Sequence, residues 1–101
     1  MPAYVILIRE GEVTDHEALR AYRDVPNQAA ARPDAMKALA YYGTIEALEG
    51  QPPDGVVIFA FPDIDDARDW YFSEQYQARV PLRLKAANYR GFIVEGLDAT
   101  S

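Results

Sequence analysis

Tyr4-Val5-Ile6-Leu7-Ile8 is an unbroken apolar run closed by Arg9-Glu10-Gly11, and it predicts a buried first strand. Beyond it the period lengthens. Thr14-Asp15-His16-Glu17 has the form of a capping box, with the Thr14 hydroxyl on an orphan amide and Glu17 reaching back. Leu19, Tyr22 and Arg23 follow at helical spacing until Pro26, and Asn27 to Arg32 has the composition for another turn or two. Lys37 to Leu48 comes close to alternation, predicting a half-buried strand bent at Gly43. Glu49 to Gly55, rich in Gly and Pro, reads as a turn, and Val56 to Phe61 as the most apolar strand. The two strands would form a long hairpin.

Pro62 stops that strand and Asp63 is a helix N-cap, with Asp65 and Asp66 near the positive end of the dipole. Ile64, Ala67, Trp70 and Tyr71 share one helix face. Ser73 to Gln75 marks a break or a second cap. The helix after it carries Tyr76, Val80, Leu84 and Ala87, with a discontinuity expected at Pro81. Tyr89 to Glu95 is the last strand. The order strand, helix, strand, strand, helix, strand predicts an α+β fold of ferredoxin-like βαββαβ type, one domain over residues 1–97 with a polar tail at 98–101. Its antiparallel sheet has helices on one face only, so a homodimer is expected to cover the other.

Composition narrows the function. Half of the residues are apolar and 12% aromatic, enough to bury a core. A net charge of −6, from 16 acidic and 10 basic residues, argues against a nucleic-acid or anionic-membrane partner, because both need a basic patch. The chain has no cysteine, which removes disulfides, thiolate zinc sites and a cysteine nucleophile. No apolar run approaches the ~18 residues of a membrane span, and the first residues lack a secretory pattern. The expectation is a soluble, cytoplasmic protein without a resident cofactor. Phosphate-loop, dinucleotide and nucleophile-elbow motifs are all missing.

Several residues are candidates for chemistry. His16, the single histidine, is either an exposed helix-start residue or a general base or ligand. Asp63, Asp65 and Asp66 are either helix-start charge or a carboxylate cation site, without the glycine and glutamate of a calcium loop. Seven tyrosines exceed what packing needs. Tyr22, Tyr41, Tyr71 and Tyr76, with Trp70, are either core or the wall of a pocket for an apolar or aromatic metabolite. Arg83, four residues after Arg79, could anchor a ligand carboxylate or pair with Glu74, Glu49 or Glu95. Glu49 is a candidate acid or base if buried. Tyr41, His16 and Glu49 thus form the candidate catalytic set, and Arg83, Trp70, Tyr71, Tyr76 and Tyr22 the candidate binding set.

Met1-Pro2-Ala3-Tyr4-Val5-Ile6, Thr14-Asp15, Leu48-Glu49-Gly50, Phe61-Pro62, Ala67, Trp70-Tyr71, Ser73-Glu74, Tyr76-Gln77, Arg83, Ala86-Ala87 and Val94-Glu95-Gly96 occur in this order. Together they resemble the bacterial family known as domain of unknown function 1330, in the dimeric α+β barrel superfamily. The resemblance implies the fold and the dimer, but no established activity. Superfamily relatives look like cofactor-independent monooxygenases, muconolactone-type isomerases, haem enzymes and stress-response modules. Two departures stand out. Family members usually carry Gly-Gly where this chain has Ala35-Met36, and commonly Arg-Gly-Gly where it has Tyr41-Tyr42-Gly43. The leading expectation is a small-molecule pocket that performs cofactor-free acid–base chemistry, such as isomerisation, cyclisation or elimination. The alternatives are a non-catalytic binding or stress-response module and a monooxygenase-like enzyme.

Overall fold

Period-two alternation in the first and third strands sets the frame of the molecule. The structure is a computed structural model that describes residues 1–23 and 35–97. Strand β1 (Ala3–Arg9) alternates buried and half-buried positions, as does β3 (Gly55–Phe61). The other elements are α1 (His16–Arg23), β2 (Lys37–Tyr41), α2 (Ile64–Tyr71), α3 (Glu74–Gln77), α4 (Val80–Ala86) and β4 (Tyr89–Glu95). The strands form one antiparallel sheet in the order β2-β3-β1-β4. This is the ferredoxin-like arrangement, with β3 inserted between the two strands that α1 connects.

The inner face presents Ala3, Val5 and Leu7 from β1, Val57, Phe59 and Phe61 from β3, and Tyr89 and Ile93 from β4. Trp70 of α2 is the central wedge. Its ring lies 5.6 Å from both Phe59 and Phe61 and 4.2 Å from Tyr76. The outer face carries Tyr4, Ile6, Ile8, Val56, Ile58 and Ala60, all half-buried, with Phe92 and Val94 more than 40% exposed. Across its middle, Phe92 neighbours Ile6 and Ile6 neighbours Ile58. Among the described residues no helix covers this aliphatic face. The molecule measures only 17 Å along its shortest axis, one sheet plus one helix layer.

Local boundaries follow side-chain chemistry, and some differ from expectation. Asp15, not Thr14, caps α1: its Oδ1 accepts from the Ala18 N–H at 2.9 Å. The Thr14 hydroxyl instead donates to the Ala86 carbonyl at 3.3 Å, tying the helix start to the end of α4. Asp63 caps α2 as predicted, accepting from the Asp66 N–H at 2.8 Å, and Ser73 caps α3. The helix break falls at Ala78-Arg79, ahead of Pro81. Pro81 sits in the first turn of α4, where its missing N–H costs nothing. The predicted turns over Asn27 to Arg32 and the tail at 98–101 lie outside the described residues.

The second strand is shorter than the alternation suggested. It ends at Tyr41, after an irregularity between Ala38 and Ala40, so Ile45 to Leu48 belong to a loop. Tyr42 has φ 54°, the left-handed region that a side chain rarely adopts, and it turns the chain out of the strand. Its ring lies over Gly55, where a Cβ would stand 2.8 Å from Tyr42 Cδ1. Gly55→Ala must therefore push the ring aside. The expected cost is about 1–3 kcal/mol in urea unfolding, and an unchanged midpoint would show that Tyr42 is not seated there.

Candidate functional site

Between α1, α4 and the end of the sheet lies a cluster of phenols and guanidinium groups. Tyr22 of α1 and Tyr76 of α3 are buried, and their hydroxyls share a hydrogen bond of 2.9 Å. Arg79 closes over them, with its guanidinium carbon 4.5 Å from the Tyr22 ring centre and 5.6 Å from that of Tyr76. Its Nε and Nη2 donate to the Tyr22 carbonyl at 3.3 and 3.0 Å. Arg79 is thus a satisfied structural clamp.

Arg83, one turn further on, is different. It is 3% exposed, its guanidinium carbon lies 5.1 Å from the Tyr89 ring centre, and its Nε is buried without an acceptor. Among the described residues its side chain has no ion pair and no hydrogen bond; Glu74, Glu49 and Glu95, the partners considered for it, are exposed. A buried cation normally has a carboxylate, because desolvating it alone costs several kcal/mol. Its place in the last turn of α4, near free carbonyl ends, offsets only part of that.

Tyr89 links Arg83 to the sheet. Its hydroxyl shares a 2.6 Å hydrogen bond with that of Tyr42, and the guanidinium carbon of Arg9 lies 5.6 Å from the Tyr42 ring centre. Arg9 and Tyr89 are direct neighbours across β1 and β4. Arg9 Nη2 donates to the Asp54 carbonyl at 3.1 Å, while its Nε is buried with no partner. Tyr42 holds its left-handed backbone just after β2. The strain is of order 1 kcal/mol, and the ring gains its place beside Tyr89.

Burial raises the pKa of Tyr22, Tyr42 and Tyr76 above the ordinary phenol value of 10.0, since a phenolate there would lose its hydration. For Tyr22 and Tyr42 the neighbouring phenol adds to the rise, and for Tyr76 the charge of Arg83 opposes it. These groups are hydrogen-bond donors at neutral pH, not bases. The sign for stability follows. A raised folded-state pKa contributes fully below pH 10.0, and that contribution is lost as pH rises through the folded values. Unfolding free energies from urea titration, and with them the midpoints, are expected to fall above pH 10, by up to about 1.4 kcal/mol per pH unit for each of the buried Tyr22 and Tyr76 and by less for the half-buried Tyr42. Tyr22→Phe should flatten the slope. A pH-independent midpoint between pH 9 and 11.5 would contradict the burial of these groups.

The candidate binding residues Arg83, Tyr22 and Tyr76 come together here. Trp70 and Tyr71 back the cluster, with the Tyr71 ring centre 5.5 Å from that of Tyr76. The candidate catalytic residues lie elsewhere. His16 is exposed at the start of α1, Glu49 is exposed in the β2–β3 loop, and Tyr41 is 55% exposed on the edge strand with its ring against Tyr42. Asp63, Asp65 and Asp66 are exposed, and Asp65 lies 3.7 Å from Arg68.

Sequence reasoning passed over Tyr42, Tyr89 and Arg9. Tyr89 was legible, because period two from Ile93 places it on the inner face. Tyr42 carried no local signal, since a tyrosine has no preference for a left-handed backbone.

The sequence matches the model of the family described as domain of unknown function (DUF1330) over residues 2–97. The chain belongs to the DUF1330 family. Within DUF1330 the model carries no activity, and no functionally curated protein matches the sequence. Solved structures similar to this DUF1330 chain share its fold at low identity. A protein of unknown function from Rhodopseudomonas palustris is 18% identical, with a TM-score of 0.63 over 96% of this chain and 83% of that one. A dimeric ferredoxin-like protein of unknown function from Thermobifida fusca is 13% identical, with a TM-score of 0.59 over 92% and 88%. A protein of the ethyl tert-butyl ether degradation (EthD) family from Bacillus halodurans is 14% identical, with a TM-score of 0.58 over 96% and 100%. Among the described residues of this DUF1330 chain, no helix is long and apolar enough to cross a membrane.

Proposed function

We propose that this protein is a homodimeric small-molecule-binding protein whose ligand is an acidic aromatic or apolar metabolite. The observation that carries the reading is Arg83, a buried guanidinium with no acid partner among the described residues, stacked on the Tyr89 ring and near enough to Tyr22 and Tyr76 for its charge to act on them. An unpaired cation in an aromatic setting is complementary to a carboxylate on an apolar body. Tyr22, Tyr76 and Tyr89 supply the wall.

The phenols, held protonated by burial, favour binding and oxyanion stabilisation over proton abstraction. If the protein catalyses a reaction, these residues would stabilise developing negative charge on oxygen, as in a cofactor-free enolisation. The exposed His16, Tyr41 and Glu49 then need a partner protomer or a bound ligand to join the chemistry.

The dimeric state reported for the Thermobifida fusca protein, together with the uncovered aliphatic face of this sheet, supports pairing of two chains through their sheets. Titration calorimetry with benzoate tests the binding site. The expected result is a saturable heat with one site per protomer that is lost in Arg83→Met. Equal heats in the two proteins would overturn the assignment.

A further inference from the structure

The hydrogen-bond inventory around Arg83 is unbalanced in one direction. Tyr42 and Tyr89 bring two hydroxyls and hence two protons, but the pair makes a single hydrogen bond, at 2.6 Å. Neither hydroxyl has another partner among the described residues, so one phenol proton is unspent. Arg83 Nε–H is unspent as well, on a side chain that is 3% exposed. Both donors meet at Tyr89, whose ring lies under the Arg83 guanidinium and whose hydroxyl holds Tyr42. At the far ring, the buried Arg9 Nε adds a third unused donor. Buried donors left without acceptors are rare in folded proteins, because each forfeits its hydration for nothing. Here the two buried ones, on Arg9 and Arg83, flank the half-buried Tyr42–Tyr89 pair.

Resting on the binding-site reading above, we infer that the ligand is a carboxylate bearing a second, neutral acceptor oxygen, as in a 2-oxo acid or an ortho-hydroxy aromatic acid. The carboxylate takes the guanidinium of Arg83, and the second oxygen takes the spare proton of the Tyr42–Tyr89 pair. The match is one of chemistry and of count. A guanidinium edge suits the paired oxygens of a carboxylate, whereas a phenol pair with one free proton suits a single lone pair. Spacing limits the class further. Arg83 lies 5.1 Å from the centre of the ring that bears the Tyr89 hydroxyl. Anchor and reader thus share one side chain, which favours a ligand that carries its two oxygens close together.

Specificity follows from the same accounting. A donor that a bound ligand cuts off from water discriminates against an analogue that lacks the matching acceptor, because it then stays unpaired in the complex. The Tyr42–Tyr89 pair is thus a specificity device, separate from the anchoring charge. It also gives the left-handed backbone of Tyr42 a purpose, since a glycine at that place could not carry the phenol.

Calorimetric titration of the full chain with two matched pairs tests this: phenylpyruvate against 3-phenylpropanoate, and salicylate against benzoate. In the wild type, the oxygenated member of at least one pair should bind at least about tenfold tighter, the loss of one hydrogen bond to a buried donor being of that size. In Y42F/Y89F the ratio should collapse towards one. Removing both hydroxyls together leaves no orphan, so this variant is expected to fold. Should it fail to fold, the wild-type ratios still decide. Equal affinities within both pairs, in a wild type that binds benzoate, would overturn this inference and leave the Arg83 site standing. A ratio that survives in the double variant would overturn it too. No binding of any of the four acids, or binding that is as tight in Arg83→Met, would remove the site reading itself and this inference with it.

Discussion

Replacing Arg83 by Met is expected to raise the unfolding temperature of the ligand-free protein. Loss of a buried charged residue usually destabilises, so the sign is diagnostic. In an ion-paired arginine the substitution would strand a carboxylate, at a cost of about 3–5 kcal/mol. Here no carboxylate is left behind among the described residues, and the Nε that lacks an acceptor is removed. The losses are the contact with the Tyr89 ring, worth about 0.5–2 kcal/mol, and the interaction with the end of α4, about 0.3–1 kcal/mol. The gain is the desolvation penalty of an unpaired cation, several kcal/mol. The penalty wins. A net gain of about 1 kcal/mol corresponds to roughly 4–8 °C for a domain of this size. Differential scanning calorimetry without ligand measures it. A fall of several degrees would mean that Arg83 is held by a structural partner, and the anchoring role would go. Stability given up at a binding residue is the usual trade at functional sites.

Phe92→Asp on the outer sheet face should abolish the proposed pairing of two chains. Phe92 lies in the middle row of that face beside Ile6, and more than 40% of it is exposed in one chain. If two such faces pair, each protomer loses the burial of a phenyl ring, about 1.5–3 kcal/mol, and must also desolvate a carboxylate. The summed effect exceeds about 5 kcal/mol per dimer, which is more than a thousandfold in Kd. Sedimentation velocity at micromolar concentration should show the wild type as dimer and the variant as a folded monomer, since no inner-face contact is touched. A wild type that sediments as monomer would contradict the pairing of sheets. So would a variant that remains dimeric.

The fold was largely legible because β1, β3 and β4 are apolar-rich runs bounded by charged, Gly or Pro residues. Tyr4 to Ile8, Val56 to Phe61 and Tyr89 to Glu95 each became a strand within a residue or two. The caps at Asp63 and Ser73 were equally plain, being short polar side chains just ahead of apolar helical spacing. The second strand misled because Ile45 and Ala47 continue the alternation after the backbone has already turned. What stops the strand is a left-handed Tyr42, and a tyrosine gives no propensity signal for that conformation.

The helix stripe was read as Tyr76, Val80, Leu84 and Ala87, but Leu84 is 53% exposed and Arg83 faces inward in its place. Spacings of seven and three from Tyr76 and Val80 put Arg83 on that stripe, and only its charge argued otherwise. The candidate site was therefore half visible. Arg83, Tyr22 and Tyr76 could be named from the chain, whereas the Tyr42–Tyr89 pair depends on a sheet register and a backbone turn that no local pattern encodes.

The central claim is that Arg83 anchors a ligand carboxylate beside the Tyr42–Tyr89 pair. A crystal structure of the protein grown with salicylate tests it most directly. The expected result is a carboxylate within hydrogen-bond distance of Arg83 and a second oxygen on the Tyr42–Tyr89 pair. A protein carboxylate paired with Arg83, and salicylate absent from the cluster at saturating concentration, would contradict it.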